Sequence, residues 1–191
     1  MPQRTEKNEP YRAPSAAVIE RRAIAPKPGE FAEYYGRYVA RVAPGDIVAT
    51  LASQMIETVD FLRSIPAEKT TTGYAPGKWS VRDIVLHVAD AERVFAYRAL
   101  RIGRGDATPL ASFDEKPYAA TAGANARSMD GLLTELLAVR EATVELFAGL
   151  PLEAWDRMGT ASDNPVGVRA LAWIIAGHEV HHREVVRERY L

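Results

Sequence analysis

The chain has no cysteine. Disulfides, thiolate metal ligands and a cysteine nucleophile are thereby excluded, so a transition metal here must be held by imidazole and carboxylate. No stretch approaches the ~18 consecutive apolar residues that cross a bilayer. Met1 to Glu9 is polar and lacks the apolar centre of a secretory signal, which makes a cytoplasmic location the expectation. An excess of one charge is missing too. The 24 Lys and Arg against 25 Asp and Glu give a formal net charge of −1, so electrostatics supply no reason for a nucleic-acid or membrane partner. Gly103-Arg104-Gly105 is not followed by the Lys-Ser or Lys-Thr of a phosphate loop, and no Gly-x-Ser-x-Gly elbow occurs. Nor are the aromatics interleaved with a basic patch, as a single-strand binder requires.

What is present is enough for one globular domain, with 47% apolar and 26% charged residues over 191 positions. Pro2, Pro10, Pro26 and Pro28 interrupt the start of the chain. Residues 1–29 are therefore expected to form an extended or poorly ordered arm, in which Ser15 to Arg22 is the one stretch that can form a short helix. Residues 30–191 form the domain proper.

Four long helical patterns follow. The first starts after the N-cap Asp46, places Ile47, Leu51, Met55, Val59 and Leu62 on one face, and stops before Pro66. The second starts at Ser80, where Asp83 completes a capping box, and ends near Gly103. The third runs from about Ser128 to Gly149, and the fourth from Gly167 to the C-terminal Leu191. No strand pattern of comparable length competes, so the fold class is all-α, a four-helix bundle. The segment between helices two and three, Arg104 to Arg127, is long enough to travel back along a helix of ~30 Å. Helices two and three are thus expected to be parallel and joined by a crossover, with helix four antiparallel to helix two.

Three of the four histidines fit that frame. His178 and His182 are four apart on helix four, about 6 Å from each other on one face, and within reach of one metal ion. His87 lies about 10 Å into helix two, and the pair lies roughly 10–15 Å from the end of helix four. An antiparallel packing brings all three to one level of the bundle. Three neutral imidazoles leave a coordination position of a divalent ion open, the arrangement of a reactive site. His181 is offset by about 100° and falls outside this set.

Glu92 and Glu179 are candidates for orienting an imidazole or for acting as a base on metal-bound water, with a salt bridge as the alternative for each. Arg140 interrupts an apolar stripe between Leu137 and Val144, so it needs a mate: Asp90, Glu92 or an anionic substrate. Trp79, Trp155 and Trp173 read as core and helix-end anchors.

Over Gly77-Lys78-Trp79-Ser80-Val81-Arg82-Asp83-Ile84-Val85-Leu86-His87, then Asp90-Ala91-Glu92-Arg93, and again over Gly177-His178-Glu179-Val180-His181-His182, the chain resembles the DinB-like superfamily. The resemblance covers about residues 30–191. It implies an up-down-down-up four-helix bundle, commonly dimeric, in which three histidines and water hold a divalent metal, usually zinc or nickel. By motif position those ligands are His87, His178 and His182. Relatives of this kind include bacillithiol transferases and mycothiol-dependent maleylpyruvate isomerases. The implied partners are therefore a low-molecular-weight thiol and a small electrophile, and the implied activity is metal-dependent thiol transfer. Metal-dependent hydrolysis, or a non-catalytic metal-binding role in stress, are the alternatives.

Overall fold

In the computed structural model, which describes residues 14–191, seven helices and one hairpin occur among the described residues: α1 (Ala16–Arg22), α2 (Gly36–Val39), α3 (Ile47–Arg63), α4 (Val81–Gly103), α5 (Glu115–Thr121), α6 (Met129–Ala148), β1 (Met158–Ala161), β2 (Asn164–Gly167) and α7 (Val168–Tyr190). The long elements α3, α4, α6 and α7 are the four expected helices. Their starts are set by the residues that sequence reading picks out. The Asp46 carboxylate accepts from the Val48 amide, and the Ser128 hydroxyl accepts from Gly131. Ser80 and Asp83 form the reciprocal capping box that opens α4.

The four helices make an up-down-down-up bundle. Val81 to Ala89 at the start of α4 packs with Leu132 to Leu136 at the start of α6, and with Met55 to Leu62 at the end of α3. Phe95 to Ile102 at the end of α4 packs with Phe147 at the end of α6 and with Ala170 to Ala176 at the start of α7. So α4 and α6 run parallel, while α3 and α7 oppose them. The Tyr190 hydroxyl at the end of α7 donates to the Trp79 carbonyl just before α4. None of the described helices is long and apolar enough to cross a membrane.

The core is two apolar clusters with a polar layer between them. Arg140, Glu92, Glu179 and Gln54 are buried where the clusters meet. A buried charge is tolerable only when paired and hydrogen-bonded. Arg140 meets that condition: Nε and Nη2 donate to the two Glu92 oxygens, each at 2.8 Å, Nη2 also reaches Glu179 Oε2 at 2.5 Å, and Nη1 donates to the Leu51 carbonyl at 2.9 Å. Gln54 Nε2 donates to the Ala176 carbonyl at 2.9 Å. This layer ties α3, α4, α6 and α7 together at one height.

Three features differ from, or add to, the sequence reading. Part of the expected arm, residues 1–13, lies outside the described residues. Within 14–29 the chain is not simply extended: α1 forms where Ser15 to Arg22 allowed it, and buried Arg22 donates from Nη2 to the Ala148 carbonyl at 2.9 Å. The crossover contains α5. It also passes Leu110 alongside the hairpin, exchanging hydrogen bonds with Thr160 and Ser162, before returning to the start of α4. The hairpin itself escapes sequence reading because its strands are only four residues each and contain Gly159, Pro165 and Gly167. Its two-residue turn puts Ser162 at φ 52° and Asp163 at φ 59°, as a type I′ turn requires, without the usual Asn-Gly signal.

One glycine decides how the site is assembled. A Cβ on Gly177 would lie 2.0 Å from the Tyr38 carbonyl oxygen, so only glycine lets α2 settle on α7 beside His178. Gly177→Ala is expected to destabilise the protein by about 1–3 kcal/mol, the range for overpacking a tight contact. A lowered urea midpoint would show this, and an unchanged midpoint would mean that the backbones are not in contact.

Candidate metal centre

The antiparallel contact of α4 and α7 brings the three imidazoles to one point. His87 Nε2 and His182 Nε2 approach His178 Nε2 to 3.2 and 3.1 Å. One ligand atom from each of His87, His178 and His182 lies within 4.8 Å of the other two. Aromatic contacts hold the ring planes. Trp79 packs 4.7 Å from the His87 ring, and Tyr38 packs edge-on 5.2 Å from His178, centroid to centroid.

Burial keeps these rings neutral. It lowers His87 to about 4 and pushes His178 and His182 well below the ordinary histidine value, with the neighbouring histidines adding to the effect in the latter two. Neutral imidazoles satisfy this arrangement poorly, because two rings facing His178 Nε2 must share its single in-plane lone pair. A cation accepts all three lone pairs at once. The spacing also fits: metal–nitrogen bonds of about 2.0–2.1 Å in a tetrahedron set a nitrogen–nitrogen edge of about 3.3–3.4 Å, against the 3.1 and 3.2 Å seen. By its donor set and spacing, the cluster fits a divalent transition metal.

A cavity of about 380 Å³ opens onto these nitrogens. Tyr34, Tyr35, Tyr38, Trp79, Phe95 and Phe113 form most of its wall, with Ala91 on α4 and the polar groups of Glu115, Ser162 and His181. Trp79 thus lines the cavity, whereas Trp155 and Trp173 are buried in the core. His181 borders the cavity and touches Tyr38, but it is outside the converging set. The Tyr38 hydroxyl is pushed up by burial and by its contact with the Tyr34 hydroxyl at 3.3 Å, so it keeps its proton at neutral pH.

The two carboxylates singled out from sequence do not reach this cavity. Both oxygens of Glu92 and one of Glu179 are engaged by Arg140, so the geometry gives no support to their acting as a base and supports the salt-bridge alternative. Asp90, another candidate mate, pairs with Arg93 instead at 3.0 Å. Glu179 keeps one link toward the histidines. Its Oε1 and His182 Nδ1 are both buried without a partner among the described residues. Both residues border a cavity of about 20 Å³, room for about one water. The cavity residues from α2 and from the crossover were missed by sequence reading. The run Tyr34-Tyr35-Gly36-Arg37-Tyr38, a tyrosine cluster ahead of the first long helix, was the available signal.

Comparison with known proteins agrees with this architecture. Residues 51–186 match the family described as the DinB superfamily. A protein of Oceanobacillus iheyensis, named "Putative metal-dependent hydrolase", is 27% identical over 137 residues, covering 71% of this chain and 76% of that protein. The solved structure of YfiT from Bacillus subtilis, described as "a probable metal-dependent hydrolase with an unusual four-helix bundle topology", superposes with a TM-score of 0.63 at 16% identity. That alignment covers 90% of this chain and 96% of YfiT, and it establishes a shared fold.

The lowered imidazoles fix the sign of a pH effect. Unfolded histidines take up protons near pH 6.5, whereas the folded ones resist until about pH 4 for His87. The unfolded state therefore binds more protons across that window, and stability falls as pH falls through it. Chelator-treated protein should show a lower urea midpoint at about pH 5 than at about pH 7.5, with a smaller difference in His87→Gln. The same difference in both proteins would mean that His87 is not buried as a neutral ring.

Proposed function

The chain belongs to the DinB superfamily, and from that premise and its histidine geometry we propose that His87, His178 and His182 hold a divalent metal, zinc or nickel, at the base of a substrate cavity. The protein is then a metal-dependent enzyme that activates a low-molecular-weight thiol for transfer to a small electrophile. The observation that carries this reading is the convergence of three neutral Nε2 atoms at the base of an open cavity. A sealed cage would signify a structural ion.

A bound divalent ion supplies Lewis acidity that brings the pKa of a coordinated thiol or water toward neutrality. The residues do the remaining work. Three uncharged ligands leave the ion its full positive charge, which favours an anionic sulfur. Arg140 with Glu92 and Glu179 forms a buried group of net negative charge beneath the histidines, and this favours a cation above it. Glu179 Oε1, directly or through one water, is placed to accept from His182 Nδ1 and so to present Nε2 to the metal. The aromatic wall keeps bulk water from the reacting sulfur, and the protonated Tyr38 hydroxyl lines the same space as a hydrogen-bond donor.

Thiol transfer is favoured over hydrolysis because Glu92 and Glu179 are occupied by Arg140, and a coordinated thiol loses its proton without a dedicated base. Hydrolysis remains the second reading on two grounds. The Oceanobacillus relative carries that name, and Glu115 lines the cavity as a half-buried carboxylate.

Elemental analysis and thiol-consumption assays test both parts. His178→Ala should lose most of its metal and its activity, whereas His181→Ala should retain metal. Metal-loaded wild-type protein should consume a cellular thiol with monochlorobimane as electrophile. Equal metal loss in the two variants would overturn the ligand set. Ester or amide cleavage without any thiol turnover would favour the hydrolase.

A further inference from the structure

Arg98 is 3% exposed, and among the described residues no carboxylate pairs with it. A buried guanidinium without an anion is costly, and Arg140, the other deeply buried arginine of α4's surroundings, has two. Arg98 is held by neutral groups only. Its Nη2 donates to the Ala111 carbonyl and to Ser162 Oγ, each at 2.9 Å, and its cationic carbon sits 5.8 Å from the centre of the Phe113 ring. Among the described residues its Nε and Nη1 make no hydrogen bond of good geometry. The Tyr35 hydroxyl lies within hydrogen-bond reach of the guanidinium, but burial pushes its pKa up and it supplies no counter-charge.

The free donors have space in front of them. Arg98 and Ser162 line a second cavity of about 210 Å³, which shares Tyr34, Tyr35, Phe95 and Ser162 with the wall of the metal cavity. The two spaces meet along one face of α4. His87, Ala91, Phe95 and Arg98 follow each other at intervals of four, four and three residues, so His87 and Arg98 differ by only about 20° around the helix and by about 16 Å along it. Ser162 is brought there by the positive-φ turn of the hairpin, at φ 52°, a conformation that disfavours an ordinary side chain and recurs at binding sites.

We propose that Arg98 and Ser162 form an oxyanion subsite, so that the substrate of the metal site is an elongated thiol with a carboxylate or similar oxyanion at the end remote from its sulfur. This rests on the thiol reading above. The anion supplies the charge that Arg98 lacks, and the distance along α4 selects for length. Glu115 borders the metal cavity but makes no ion pair with Arg98, so it leaves the position open to a ligand.

Titration calorimetry with ω-mercaptoalkanoates of increasing length, their phosphonate counterparts and the matched ω-mercaptoalkanols tests this, using zinc-loaded wild-type protein. The acids should bind about tenfold to a hundredfold more tightly than the alcohols, as a charged hydrogen bond provides, and the ratio should peak at one chain length. The larger ratio, carboxylate or phosphonate, names the oxyanion. Arg98→Gln should abolish the ratio by weakening the acids far more than the alcohols, and Arg98→Lys should keep part of it. Equal affinity of acid and alcohol at every length in wild type, or a ratio that survives in Arg98→Gln, would overturn the subsite. Should Arg98→Gln not fold, the Arg98 Nε–H resonance of wild-type protein decides: it should shift with the acid and stay put with the alcohol, and a resonance unmoved by both overturns the proposal. Chelator-stripped protein separates the two claims. A protein that takes up no zinc sinks the metal reading alone, and its acid-to-alcohol ratio still measures the subsite.

Discussion

Three imidazole nitrogens directed at one point inside a protein are poorly served by protons, because the two outer rings must share one lone pair of the third. His178 Nε2 lies 3.2 Å from His87 Nε2 and 3.1 Å from His182 Nε2. Burial denies these rings the positive charge that would let each donate from both nitrogens. A shared cation would resolve the conflict, and much of the surrounding structure holds the rings in this arrangement. The rotation of α4 and α7 is fixed by packing on either side of the site. Gly177 admits the α2 backbone, and Tyr38 and Trp79 brace the rings from opposite elements.

The Arg140 layer is the second constraint. Replacing a buried ion pair by apolar residues is often neutral or stabilising, so stability alone gives weak reason for this layer to exist. Its position gives a better one. The layer lies at the junction of the two apolar clusters and joins all four long helices. Its net charge is negative, and one of its members, Glu179, is next to His178 in the chain and three residues from His182. It therefore sets the height of the bundle at which the histidines meet and supplies charge of the right sign beneath them.

Most of the frame was legible in the sequence, because each long helix carries its own local signals. Asp46, Ser80 with Asp83, and Ser128 are caps that act within one turn, and helical spacing gave the inward face of His178 and His182. The level shared by His87 and the pair followed from helix rise and chain direction alone. What escaped depends on contacts distant in the chain. Arg140 asked for a carboxylate, but only packing shows that Glu92 and Glu179 both answer, and that answering keeps them from the histidine cavity. Tyr38, Phe113, Glu115 and Ser162 come to the cavity from α2, the crossover and a hairpin whose four-residue strands have no usable periodicity. The short helix α1 forms in the stretch, Ser15 to Arg22, that the proline-interrupted start of the chain left free to be helical.

The central claim is that the three imidazoles share one cation in the protein as it is made in the cell. X-ray absorption at the metal edge of natively purified protein tests it most directly. The account predicts three nitrogen scatterers with the outer-shell pattern of imidazole at about 2.0–2.1 Å, completed by a light atom or sulfur in the open position. An ion surrounded by oxygen alone, or protein that carries no ion and takes none up, would contradict it.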